Sequence, residues 1–233
     1  DMSFICLGDT VSLLAEGTAT NYVWDKEVIN GESFRPMTTK TYTVTGTGDN
    51  ECSAFASITV AVNDKPDVAA SVDKPSVCQF EEIVLAGIGA MSYVWSDGVT
   101  DGEAFKLTTS TSFTVEGEDE NGCKNSASID VTAELLPVVS IFNADEISHA
   151  CLGDTVLLLA QGDAINYEWD NNVVNGQAFA LFESATYTVI ATGFNNCVNS
   201  ASIDITSNSL PDVTIKDHST TVCKGEGMTL KGD

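Results

Sequence analysis

Seven cysteines are the residues of this chain with chemistry to offer, and their spacing says which chemistry. Cys6, Cys78, Cys151 and Cys223 recur at intervals of 72 (78−6), 73 (151−78) and 72 (223−151). Cys52, Cys123 and Cys197 follow the first three by 46, 45 and 46 residues. Thiols at regular positions in small repeating blocks point to disulfides formed in an oxidising compartment. There is no CxxC pair and no Cys/His cluster. His149 and His218 fall at unmatched positions, so a zinc site is not expected. No recurring base, nucleophile or glycine-rich phosphate loop accompanies them, so neither catalysis nor a cofactor is expected.

The elements that must position these thiols repeat with them. Trp24, Trp95 and Trp169 stand 18, 17 and 18 residues after the opening cysteine of each block. A fixed period of this kind marks a tandem array. Within a block the apolar residues alternate with period two, the pattern of half-buried strands. Val11/Leu13, Ile83/Leu85, Val156/Leu158 and Met228/Leu230 make one inward face. Tyr22/Trp24, Tyr93/Trp95 and Tyr167/Trp169 make a second, before turns at Asn30-Gly31, Asp101-Gly102 and Asn175-Gly176. Ile58/Val60, Ile129/Val131 and Ile203/Ile205 mark the final strand. No stretch shows helical periodicity. Six or seven short strands in about 72 residues predict an all-β, two-sheet antiparallel sandwich. Trp24, Trp95, Trp169, Tyr42, Phe113 and Tyr187 are its expected core aromatics.

The period divides the chain at its prolines into modules 1–64, 65–135 and 136–209, with the start of a fourth at 210–233. Block one is short of its lead-in strand, so the chain is expected to be a stretch of a longer protein. Composition is globular at 43% apolar, without a run long enough to span a bilayer. A net charge of −24 repels nucleic acid and anionic lipid, so nucleic-acid binding and membrane insertion are not expected.

The pattern C-x-G-D-T-V-x-L, then Y-x-W, then T-Y-T-V and a cysteine-bearing turn, resembles the immunoglobulin-like (PKD-like) repeats of giant Bacteroidetes surface proteins. It is most similar to the SprB-type gliding-motility adhesins exported by type IX secretion. Block two departs from the pattern, with Gln79-Phe80-Glu81-Glu82 for Leu-Gly-Asp-Thr and Phe113 for Tyr. The resemblance implies tandem immunoglobulin-like sandwiches arranged end to end in an extracellular, cell-surface stalk. The stalk would space and transmit force to an adhesive region in attachment or gliding. Its implied partners are neighbouring modules of the same chain, with surface polysaccharide or the secretion and motility machinery as further candidates. Two other roles stay open, a glycan-binding array and the spacer of a secreted hydrolase; most aromatics fall at periodic positions and are expected to be buried, which weighs against the first.

In such a sandwich the opening cysteine and the second cysteine sit at opposite poles, roughly 20–25 Å apart for a seven-residue sheet, beyond the Cα separation of about 7 Å a disulfide tolerates. An end-to-end array brings the exit pole of one module to the entry pole of the next. This favours Cys6–Cys123 and Cys78–Cys197, with Cys52, Cys151 and Cys223 paired outside the chain. The within-module set Cys6–Cys52, Cys78–Cys123 and Cys151–Cys197, and free or mixed thiols, remain as alternatives. Acidic turns at Asp49, Glu51 and Glu118 to Glu120, with Asp64 and Asp67 nearby, are candidate calcium ligands, although block three offers only Gly193, Phe194, Asn195 and Asn196 there. Asp9-Thr10-Val11 and Asp154-Thr155-Val156 resemble the Bacteroidetes O-glycan sequence, which makes Thr10 and Thr155 candidate acceptors; turn chemistry explains them equally. Asp25, Asp97 and Asp170, near the tryptophans, read as exposed turn residues.

Overall fold

The computed structural model describes residues 2–143, 148–214, 223–225 and 227. The chain forms two compact units, Asp1–Leu135 and Leu136–Asp233. The first holds two β-sandwiches and the second holds one; most of the fourth block, including Met228 and Leu230, lies outside the described residues.

Sandwich two shows the plan. Its lead-in strand Ala69–Val72 pairs antiparallel with Glu82–Ile88, which pairs with Ala104–Lys106 in a three-stranded sheet. The facing sheet runs Ser92–Trp95, Thr111–Glu118, Lys124–Glu134, Ser76–Cys78. The pairing is antiparallel except at the edge, where the opening strand Ser76–Cys78 runs parallel to the final strand Lys124–Glu134. The chain changes sheets at Asp73-Lys74-Pro75, where the proline has no N–H for either ladder. Sandwich three repeats both sheets, with Val139–Asn143, Thr155–Gly162 and Ala178–Ala180 facing Asn166–Trp169, Ala185–Thr192, Val198–Asn208 and His149–Cys151.

Sandwich one keeps the four-stranded sheet, Asn21–Trp24, Lys40–Thr47, Ser53–Asn63 and Met2–Cys6. Its other sheet is reduced to the short pair Val11–Ser12 and Ser33–Phe34. No described strand lies on the outer edge of Val11–Ser12. Leu14 is exposed there, whereas Leu159, its counterpart in sandwich three, is half-buried and lies opposite Phe142 of the lead-in strand.

Each sandwich has a core of its own. Leu13, Tyr42 and Val60 centre the first, Ile83, Leu85, Trp95 and Phe113 the second, and Val156, Leu158, Leu181 and Ile205 the third. A phenylalanine meets the penultimate-strand aromatic in every copy, with Phe34–Tyr42, Phe105–Phe113 and Phe179–Tyr187 centroids 5.1, 5.5 and 5.1 Å apart. Tyr42, Phe113, Tyr187 and Trp95 are buried. Trp24 and Trp169 are not inside the core: both are half-buried and packed against it. The tryptophan strand is the edge of its sheet in every copy, that of the buried Trp95 included, so edge position by itself does not set the depth of the indole. The one helical turn among the described residues is the short 3-10 segment Ser96–Gly98.

The turn after each opening cysteine needs a left-handed residue. Gly8 and Gly153 supply it at φ 95° and 91°, and in block two Phe80 is forced there at φ 69°. A bulky L-residue in this region costs roughly 1–2 kcal/mol, partly offset by the backbone entropy that glycine loses on folding. Phe80→Gly is therefore expected to stabilise sandwich two by about 1 kcal/mol, read as a higher denaturant midpoint with an unchanged slope.

Candidate functional site

The register of the parallel edge pair fixes where each thiol sits. Cys6 stands opposite Asn63, the last residue of Ser53–Asn63, whereas Cys52 directly precedes that strand. Eleven residues at about 3.3 Å each put the two cysteines of one sandwich roughly 35 Å apart. Cys78 is likewise level with Glu134, and Cys151 with Asn208, each at the far end of an eleven-residue strand from Cys123 or Cys197. No disulfide spans such a distance.

The bond that does form joins two sandwiches. Cys6, at the exit pole of the first, is bonded to Cys123, at the entry pole of the second, with Cα atoms 5.5 Å apart. Cys123 is fully buried. Its turn is built to present it: the Asp119 carboxylate accepts from the Cys123 amide at 2.8 Å and the Asn121 amide at 2.9 Å, and Asp119 N–H donates to Cys123 O at 3.0 Å. On the other side, Leu7 N–H donates to Asn63 O at 2.8 Å and Asp9 N–H to Cys6 O at 3.0 Å, holding the end of the opening strand. Cys52 and Cys151 are exposed free thiols, as is Cys223. The within-module alternative Cys6–Cys52, Cys78–Cys123 and Cys151–Cys197 is therefore corrected: Cys123 is taken by Cys6, and Cys52 and Cys151 are free. Neither Cys78 nor Cys197 is a free thiol.

The same pole anchors the passage between modules. Asn125, two residues after Cys123, donates from Nδ2 to Pro66 O at 3.0 Å, and Asn199, two after Cys197, donates to Pro137 O at 2.9 Å. Pro66 and Pro137 are buried, so the prolines at the block boundaries are tucked under the cysteine turn.

A second constellation escaped the sequence reading. Asn30, Asp101 and Asn175 were legible only as turn formers, yet each side chain clamps two elements. Asn30 Oδ1 accepts from Trp24 Nε1 at 2.9 Å and Ala15 N at 2.7 Å. Asp101 Oδ1 accepts from Trp95 Nε1 at 2.8 Å and Gly87 N at 2.7 Å. Asn175 Oδ1 accepts from Trp169 Nε1 at 3.1 Å and Ala160 N at 2.7 Å. The spacing W-x5-[N/D]-G recurs in all three blocks and is the signal that could have found it. One oxygen thus joins the tryptophan strand of one sheet to the second strand of the other in sandwiches two and three, and to Ala15, beyond the end of Val11–Ser12, in sandwich one.

The residue after each tryptophan forms a smaller clasp. Asp25 Oδ1 accepts from Thr43 N at 2.9 Å and Asp170 Oδ1 from Thr188 N at 2.9 Å. In block two the equivalent is Ser96, whose Oγ accepts from Thr114 N at 3.1 Å, while Asp97 is exposed with φ 56°. The ammonium of Lys26, hydrogen-bonded to Asp25, and the Thr43 amide hold the Asp25 carboxyl below its ordinary value.

Among the described residues no group of three or more His, Cys, Asp or Glu is gathered to hold a metal, and Asp119 Oδ1 is occupied by turn amides. Thr10 and Thr155 are exposed. The Asp154 carboxylate accepts from Cys151 N at 3.0 Å, which accounts for the acid of that turn. The aromatics are less buried than expected: at the repeating positions Phe34, Phe105 and Phe179, like Trp24 and Trp169, are only half-buried. Phe4, Phe55, Phe80, Phe142, Phe182 and Phe194 are all exposed, Phe55 at 83% and Phe194 at 86%. These six stand outside the repeating inward pattern.

No protein-family model matches the sequence, and no curated protein does. Solved structures of tandem immunoglobulin domains align with most of the chain. The N-terminal eight immunoglobulin domains of Down Syndrome Cell Adhesion Molecule align over 90% of this chain at 12% identity and a TM-score of 0.38. This chain spans 35% of that structure's length. The full ectodomain of mouse nectin-like molecule 4 aligns over 92% of this chain and 100% of its own, at 12% identity and a TM-score of 0.36. A three-domain fragment of the titin I-band aligns over 89% and 96% respectively, at 13% identity and a TM-score of 0.32. The assignment of immunoglobulin-like sandwiches rests on the strand order and pairing themselves.

Asp101 offers the sharpest test of the tryptophan clamp. Trp95 is buried, so removing its acceptor strands an indole N–H, at a cost of about 1–3 kcal/mol. Asp101→Ala is expected to destabilise sandwich two by that amount in chemical denaturation followed by tryptophan fluorescence. Asp101→Asn, the residue type of blocks one and three, is expected to stay within about 0.5 kcal/mol of the unsubstituted chain.

Proposed function

We propose that the chain is a segment of an extracellular stalk: a series of immunoglobulin-like sandwiches that holds an adhesive region of its parent protein away from a cell surface and carries load to it. The observation that carries this reading is the Cys6–Cys123 bond, which joins two sandwiches with separate cores rather than closing one of them. Such a bond adds nothing to the shape of either sandwich and fixes one against the other. In the chain-entropy view a loop of 117 residues stabilises by about 4–5 kcal/mol, a large share of what small domains possess.

The proposal extends the pairing to Cys78 and Cys197. They lie 72 (78−6) and 74 (197−123) residues beyond Cys6 and Cys123, on equivalent strand ends and turns. By the same logic Cys52 and Cys151 are half-staples awaiting neighbouring modules. The repeat motif resembles that of gliding-motility adhesins of the type IX secretion system, and attachment or gliding at a cell surface is the setting proposed. Catalysis forms no part of the reading.

Spin labels on the exposed Cys52 and Cys151, with Cys223→Ser to remove the third free thiol, test it directly. Pulsed electron-spin distance measurements are expected to give a narrow distribution in this chain and a broad one after adding Cys78→Ser and Cys197→Ser. Equally broad distributions in both would refute a stapled rod.

A further inference from the structure

The Cys6–Cys123 bond also decides which residues bear tension. A pull on the N-terminal side of the chain reaches Cys6 through the opening strand Met2–Cys6. From there the covalent path has two branches: the polypeptide from residue 7 to 122, and the disulfide. The disulfide is the short branch, bridging Cα atoms 5.5 Å apart across a sequence separation of 117. Beyond it, Cys123 leads directly into Lys124–Glu134, the eleven-residue final strand that ends at the exit pole of sandwich two.

We propose that Met2–Cys6, the disulfide and Lys124–Glu134 act as one continuous tension-bearing strand, with residues 7–122 held in reserve outside the load path. Both strands of this path are paired along their length. Met2–Cys6 lies parallel to Thr59–Asn63 in sandwich one, and Lys124–Glu134 lies between Thr111–Glu118 and Ser76–Cys78 in sandwich two. Load therefore runs along strands, against a whole ladder of hydrogen bonds rather than one bond at a time. The second, third and later strands of sandwich one, and everything in sandwich two before Cys123, are in the bypassed branch. Their cores cannot be drawn out while the disulfide stands, even if they unfold. Reduction brings this length into play: at 3.3–3.6 Å per residue, the 117 residue steps amount to roughly 40 nm of extension. The bond is thus a limiter whose redox state sets how far the same chain stretches. This holds whether or not the chain serves in a stalk, since it depends only on the position of one bond.

Optical-trap pulling on the full chain, with handles at its two ends, tests the inference. Substituting Cys52, Cys78, Cys151, Cys197 and Cys223 by Ser leaves Cys6–Cys123 as the sole disulfide. Dithiothreitol then supplies two electrons and two protons, leaving as its cyclic disulfide while Cys6 and Cys123 become thiols. The fully stretched oxidised chain is expected to be shorter than the reduced one by about 40 nm. It should also lack the two steps, each of roughly 20–25 nm, that unfolding of a 72-residue block releases when loaded end to end. Equal stretched lengths before and after reduction, or those two steps in the oxidised chain, would overturn it. The unsubstituted chain serves as the control for folding of the variant. Its oxidised form must fall short of its reduced form by at least the same 40 nm, and a smaller difference overturns the proposal as well.

Discussion

The parallel pairing of the opening strand with the far end of the final strand is the constraint on which the rest depends. It sets Cys6 level with Asn63 and therefore a full eleven-residue strand away from Cys52. From that register alone, a sandwich of this design cannot close its own disulfide. The thiol at the exit pole of sandwich one finds its partner in sandwich two, where the Asp119 turn before the final strand presents Cys123 at the entry pole. A bond that in other small domains closes one core here becomes a joint between two.

Because the covalent link lies outside the cores, each sandwich must hold itself together by packing and hydrogen bonds. The recurring phenylalanine–tyrosine or phenylalanine–phenylalanine contact fills the space between sheets. The acceptor oxygen six residues after each tryptophan ties two segments at one point, accepting both the indole N–H and a backbone amide, of Ala15, Gly87 or Ala160. Block two has the most complete version, with Trp95 buried. In block one the second sheet is cut to Val11–Ser12 and Ser33–Phe34 and the core is correspondingly smaller. These differences show one packing solution at three degrees of completion.

Much of this was legible in the residues. Period-two alternation correctly named the inward positions, since Leu13, Ile83, Leu85, Val156 and Leu158 are all buried, as are Val60, Val131 and Ile205 on the final strands. The turn glycines Gly31, Gly102 and Gly176 do take positive φ. Depth was less legible than direction. Trp24 and Trp169 share both the spacing and the edge-strand position of Trp95 yet are half-buried, because depth depends on the packing around each indole, which the residues of a single strand do not encode. Asn30, Asp101 and Asn175 looked like turn formers because Asn-Gly and Asp-Gly describe a backbone, and nothing local reveals where the side-chain oxygen points. The exposed phenylalanines lie outside the repeat, so periodicity had nothing to say about them. The parallel edge pair was also hidden, because a three- to five-residue strand looks the same whichever way its neighbour runs.

A non-reducing peptide map of the purified chain tests the central claim most directly. Digestion between the cysteines with free thiols blocked beforehand, followed by mass spectrometry, should recover Cys6 linked to Cys123, with Cys52 alkylated. Recovery of Cys6 linked to Cys52 would contradict the register from which the account is built, and with it the joint between modules.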